Sequence, residues 1–175
     1  MVEESIRIKL QSMDGQYKFN DLLTFMEDSG ISFIDRRLAG PAAIATLNGV
    51  IVDVSNFNRY YDKVVFFLFI HEIAHMKRLN KYGKEWFLCQ LSIEDYDVFL
   101  DELFKEEVLA DRYACRLFYK FNKVIYPWYY TQQLDLKHKQ IAYAPLAKSY
   151  FGKIKNDENL YNKLLESFII QKNDD

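Results

Sequence analysis

Between Tyr17 and Asp28 the apolar residues Phe19, Leu22, Leu23, Phe25 and Met26 recur at helical spacing, and Ser29-Gly30 closes the run. That period predicts an amphipathic helix. Ile31 to Ile34 then reads as a short strand. Two runs rich in β-branched residues follow, Ala43 to Leu47 and Val50 to Val54, with Asn48-Gly49 between them. Asn-Gly between two such runs predicts a hairpin, because both central residues of a type I′ turn need positive φ. From Asp62 to Arg78 the pattern is helical but apolar on most faces at its start, Val64 to Ile70, which places this helix at the centre of the core. Its basic end, Met76-Lys77-Arg78, suits the negative pole of a helix terminus, and a substrate contact is the other reading of Lys77 and Arg78.

The pattern weakens over Asn80 to Leu91, which is read as a connection. Ser92 with Asp95 three residues on resembles a capping box and opens a long helical stretch to about Phe121, with a break expected near Asp101. Beyond Pro127, helices are expected around Gln132 to Tyr143 and Asn159 to Gln171. A helix, a small sheet and then more helices give an α+β layout. No repeat or Pro/Gly-rich linker divides the chain, so residues 1–175 read as one domain.

Composition narrows the function class. Half of the 175 residues are hydrophobic and 17% are aromatic, enough bulk to bury a core, which excludes a disordered segment. A formal net charge of −2 supplies no overall footprint for direct nucleic-acid or anionic-membrane binding. The first residues, MVEESIRIKL, are acidic where a secretory signal is basic, and the apolar run Val64 to Ile70 is too short to span a bilayer. A cytoplasmic protein is expected. Cys89 and Cys115 lack metal-type spacing and sit in apolar patterns, so both read as reduced, buried thiols.

Two of the three histidines fall in His71-Glu72-Ile73-Ala74-His75, the HExxH pattern of zinc hydrolases. Residues i and i+4 share a helix face, so both imidazoles can reach one Zn²⁺ while Glu72 projects beside them toward metal-bound water. With three His and eleven Glu, the pattern is expected by chance roughly 0.003 times per chain, which makes chance a poor explanation. The competing reading packs both histidines in a buried helix without metal, at the expense of two imidazoles left to satisfy among apolar neighbours.

A catalytic zinc needs a third protein ligand and one open position. On the long second helix Glu107 lies on a stripe with Leu103, Ala110, Asp111, Ala114 and Phe118, otherwise apolar or small apart from Asp111. Ala110 and Ala114 let the two helices cross closely, so Glu107 is the preferred third ligand. Glu106, about 100° round the helix beside Glu102 and Lys105, reads as solvated. Asp111, one turn after Glu107, is placed to accept from the non-ligating N–H of His71. The bland alternative makes Glu107 and Asp111 two surface charges paired with Arg112 or Arg116. For an oxyanion, the candidate donors are His138, Tyr113 and Tyr143; the alternative for His138 is a solvated surface residue.

HEIAH followed by Glu107-Val108-Leu109-Ala110-Asp111-Arg112-Tyr113-Ala114 resembles the ImmA/IrrE-like metallopeptidases, whose pattern pairs HExxH on one helix with E-x-x-A-(N/D)-x-(F/Y)-A on another. The resemblance covers about residues 43–120. It implies a zincin-like minimal metallopeptidase domain of gluzincin type, its hairpin packed on the HExxH helix. It also implies zinc on His71, His75 and Glu107, with Glu72 as general base. Known members cleave helix-turn-helix repressors or act in stress and mobile-element regulation, so a protein or peptide substrate, a repressor among them, is expected. Members often carry a further His soon after HExxH, where this chain has Met76-Lys77-Arg78-Leu79. A hairpin edge, with Val50 to Val54 the favoured strand, is read either as holding an extended peptide or as a purely structural roof over the core. The alternative, from another class, is a metal-bound interaction or regulatory protein without turnover.

Overall fold

A computed structural model describes residues 1–126 and 143–170. The helix expected at Asp62 to Arg78 is α3, Asp62–Tyr82, and it is the element around which the others pack. Its apolar start is buried on several sides at once. Phe66 meets the rings of Phe19, Phe118 and Phe121, while Phe69 meets Phe33 and Phe57. These rings stand edge-on or tilted at centroid separations of 5.2–6.2 Å, the favourable arrangement for aromatic quadrupoles.

The surrounding elements follow from their own apolar stripes. Helix α1, Glu4–Ser12, buries Ile6 and Leu10, and α2, Phe19–Asp28, buries Phe19, Leu22, Leu23 and Met26. α1 has no counterpart among the elements expected from the pattern, because a nine-residue helix with two inward residues has almost no period to read. Strands β1 (Phe33–Asp35), β2 (Ala43–Thr46) and β3 (Gly49–Val52) form a sheet in the order β1-β3-β2. β1 runs parallel to β3 and β2 antiparallel to it. The outer side of β1 is bridged by Val2 to Phe33.

The chain is thus α+β and mostly helical, with one small sheet. β3 is central and β2 is the edge, which corrects the assignment of Val50 to Val54 as the edge strand. The expectation failed because β1, three residues long, gave no sign in its own pattern that it would claim the other side of β3. The turn also differs from the one expected. Leu47-Asn48 forms the two-residue loop, and neither has positive φ, so it is not the I′ turn predicted for Asn48-Gly49. Thr46 ties the loop through its hydroxyl, donating to Gly49 O and accepting from Asn48 N–H. Gly49 is needed for another reason. At its φ of +153° an added Cβ would stand 2.5 Å from Ser32 O, where the chain entering β1 runs alongside β3.

A 3₁₀ turn, Val54–Arg59, capped by Asp53, leads into α3. Gly83, at φ +89°, ends α3 and starts α4, Lys84–Leu91. The expected connection from Asn80 to Leu91 is therefore helical over most of its length. α4 is short and buries only Leu88 and Leu91, too few contacts to leave a helical period. Helix α5, Tyr96–Asn122, is unbroken through Asp101, and its cap is Asp95, which accepts from the Asp97 and Val98 amides. Ser92 instead donates back to Leu88 O and finishes α4. Helices α6, Ala144–Tyr150, and α7, Glu158–Phe168, complete the described chain. The helix expected around Gln132 to Tyr143 lies, apart from Tyr143, outside the described residues, as does His138.

α7 runs back past the sheet. Near its end the Ala39 N–H donates to Phe168 O at 2.8 Å and the Ile170 N–H to Arg37 O at 3.0 Å. Among the described residues no helix is long and apolar enough to cross a membrane. Cys115 is half-buried as a free thiol, but Cys89 is exposed on the outer face of α4, against the expectation of burial.

Candidate metal centre

α3 and α5 pack against each other more extensively than any other pair of elements. Ala110 and Ala114 are fully buried at this crossing, so no side chain longer than a methyl holds the backbones apart. This brings the middle of α5 against the face of α3 that carries His71 and His75.

The two imidazoles face each other through Nε2, 3.0 Å apart, and Glu107 meets both of them. Its Oε2 lies 3.2 Å from His71 Nε2 and its Oε1 3.4 Å from His75 Nε2. One ligand atom from each of His71, His75 and Glu107 falls within 4.8 Å of the others, so the three side chains could hold a metal ion. The three side chains are 14–15% exposed, so the cluster is largely but not wholly shielded from solvent. Two imidazoles and one carboxylate with an open position form the donor set of three-ligand catalytic sites.

Behind His71, Asp111 is buried at 5% exposure with its Oδ1 2.9 Å from His71 Nδ1. A carboxylate there fixes the Nδ1–H tautomer and leaves Nε2 free as a ligand. Glu72 is buried at 7% exposure on the next position of α3, facing the backbone amide of Ala45 on β2.

The electrostatics are those of a pocket built for positive charge. Burial works against a charged His71, but the carboxylates of Asp111 and Glu107 outweigh it and hold its pKa well above the ordinary imidazole value. The same opposition at His75, with Glu107 and Glu106 as the acids, leaves its pKa raised to about 9. Burial would raise the Glu107 carboxyl, yet the two imidazoles hold it far below the usual carboxylate range. Glu72 goes the other way: burial pushes it up, and the neighbouring His71 and His75 only partly pull it back.

Two features were not read from the sequence. Glu106 is not a solvated charge. Its side chain is 22% exposed, and its Oε1 accepts from Arg78 Nε at 2.6 Å and lies 3.6 Å from His75 Nδ1. The residue sits at the edge of the inward stripe, and its partner on α3 is three residues past His75, a spacing that would have been the signal. Because α3 continues to Tyr82, Lys77 and Arg78 are not in its last turn, where Lys81 stands instead. Lys77 lies over the rings of Phe25 and Tyr113. Tyr113 is thus engaged on the α2 side of α5.

Tyr143 does stand near the cluster, its phenol raised by burial and by the charges of Asp111 and Glu107. Tyr150 on α6 joins it, pushed up to about 12 by burial and by Glu72 and Glu107. No short-range pattern links these tyrosines to HExxH. Comparison with protein-family models, with curated proteins and with solved structures finds no match.

Proposed function

We propose that the chain is a zinc-dependent metallopeptidase of the ImmA/IrrE-like, zincin type, hydrolysing peptide bonds of a protein substrate such as a regulatory repressor. The observation that carries this reading is the convergence of His71, His75 and Glu107 with Asp111 behind and Glu72 beside. The donor set fits Zn²⁺, which takes nitrogen and carboxylate ligands and tolerates one open position. When bound, the ion supplies Lewis acidity toward a scissile carbonyl and acidifies water at the site.

The chain's own residues do the rest. Glu72, raised by burial, is suited to take a proton from the attacking water and return it to the leaving amine. The substrate's place is the edge of β2. Asp53 N–H donates to Ala42 O, so the pleat turns the peptide groups of Ala42 and Ile44 toward β3 and those of Ala43 and Ala45 outward. An extended peptide added there would run beside Glu72, which already faces the Ala45 amide. At the far end of β2 the Leu47 backbone meets the Tyr161 hydroxyl of α7, which bounds the stretch open to a peptide.

The test is metal analysis of the purified chain together with cleavage of candidate repressors by wild type and Glu72→Gln. The expected outcome is about one zinc per chain in both, and cleavage reduced by at least about 10²-fold in the variant. Undiminished cleavage by Glu72→Gln would sink the assigned mechanism. Full biological effect without turnover, retained in Glu72→Gln and lost in His75→Ala, would favour the metal-bound interaction protein instead.

A further inference from the structure

Ligation through Nε2 leaves the Nδ1 of each histidine pointing away from the metal position, and each meets a different acid. His71 has Asp111, close and buried, with its Oδ1 at 2.9 Å. His75 has Glu106, whose Oε1 is shared: 2.6 Å from Arg78 Nε and 3.6 Å from His75 Nδ1. The carboxylate is held toward the arginine and stands just beyond hydrogen-bond length from the imidazole. Arg78 in turn is held in place, its guanidinium against the faces of Tyr82 and Trp86 at 5.3 and 5.7 Å. Those two rings line a cavity of about 370 Å³ between α3, α4 and α5, with Glu106 on its wall.

His71, His75, Arg78 and Tyr82 follow one face of α3 at steps of four, three and four residues, so a single surface of α5 meets all of them. Glu106 and Glu107 are adjacent on α5 and divide that face between them. Glu107 points at both Nε2 atoms, and Glu106 stands behind one ring.

We propose that Glu106 is the positioning residue of His75, keeping its proton on Nδ1 so that Nε2 is free to bind metal, and that Arg78 sets where that carboxylate stands. The inference rests on the metal-centre reading above. It adds a second support to the cluster, adjustable where Asp111 is fixed. Removing Arg78 frees Oε1 to bond the imidazole directly, so the two residues act on His75 in opposite directions.

The test is the Zn²⁺ dissociation constant of the full-length chain, measured by competition with a chromophoric chelator, with the Co²⁺ d–d spectrum of each variant as a reading of ligand geometry. Glu106→Ala is expected to bind Zn²⁺ about 10–100-fold more weakly, with an altered Co²⁺ spectrum. Glu106→Gln, whose amide oxygen can stand behind the Nδ1–H as the carboxylate does, is expected to recover most of the loss. Arg78→Gln is expected to bind no more weakly than wild type. If the alanine variant lacks a cooperative thermal transition, Glu106→Met keeps the bulk without the acceptor and takes its place.

Affinity of Glu106→Ala or Glu106→Met within a factor of about three of wild type, or Glu106→Gln as weak as they are, overturns the proposal while leaving the metal centre standing. A wild-type chain that takes up no Zn²⁺, or a His75→Ala variant that binds it as tightly as wild type, overturns both.

Discussion

Glu107 is held far below the usual carboxylate range in a half-buried place because two imidazoles face it, and their pKa values are raised because it faces them, with Asp111 at His71 and Glu106 at His75. At the residue scale this sets a pH dependence. His75, raised to about 9, is a group whose folded pKa lies above its unfolded value. In the metal-free chain its pairing with Glu107 contributes stability that is full below about pH 6.5 and is lost as pH rises through about 9. A metal ion must displace that proton, so apparent Zn²⁺ affinity is expected to climb from pH 6.5 toward 9, by up to about tenfold per unit for each proton displaced. Isothermal titration across that range, in buffers of different ionisation enthalpy, reads both the slope and the proton release. An affinity flat over this range would show that the imidazoles are already neutral.

At the scale of elements, the cluster depends on how closely α3 and α5 approach. Ala110, one turn past Glu107, is fully buried at their crossing. Ala110→Leu is expected to cost about 1–3 kcal/mol through overpacking, and to weaken Zn²⁺ binding because Glu107 moves away with its helix. Thermal unfolding and chelator competition check the two effects separately. Stability lost with metal affinity intact would mean that α5 yields without displacing Glu107. The sheet contributes differently. Gly49 lets Ser32 approach the hairpin, and among the described strands β3 is central and β2 is an edge, beside Glu72. The hairpin's existence was legible from its two β-branched runs, but its edge was not, since that depended on a three-residue strand elsewhere in the chain.

At the scale of the whole molecule, a metal ion bound by two residues of α3 and one of α5 would cross-link the two longest helices. Ligand binding to the native state stabilises it by about 2.7 kcal/mol at a hundred times Kd, which for a chain of this length is a rise in Tm of about 5–10 °C. Zn²⁺ is therefore expected to raise Tm by that order in wild type and Glu72→Gln, with reversal by a chelator, and to leave Glu107→Ala nearly unmoved. Differential scanning calorimetry decides it. An equal rise in Glu107→Ala would remove Glu107 from the ligand set.

The sequence by itself determined what is periodic or local. HExxH places two imidazoles on one helix face whatever surrounds them, and the stripe through Glu107, Ala110, Asp111 and Ala114 follows from 3.6 residues per turn. The small sheet with its hairpin was legible for the same reason. Tertiary structure alone decided which face of α5 lies over which turn of α3, and hence that Glu106 stands behind His75 rather than in solvent. It also decided that β2 is the edge and that Tyr143 and Tyr150 return to the cluster from the far end of the chain. The physical reason is range. Helical and strand periods act over a few residues, whereas each of these outcomes depends on contacts between segments tens of residues apart, whose partners are chosen only when the core packs.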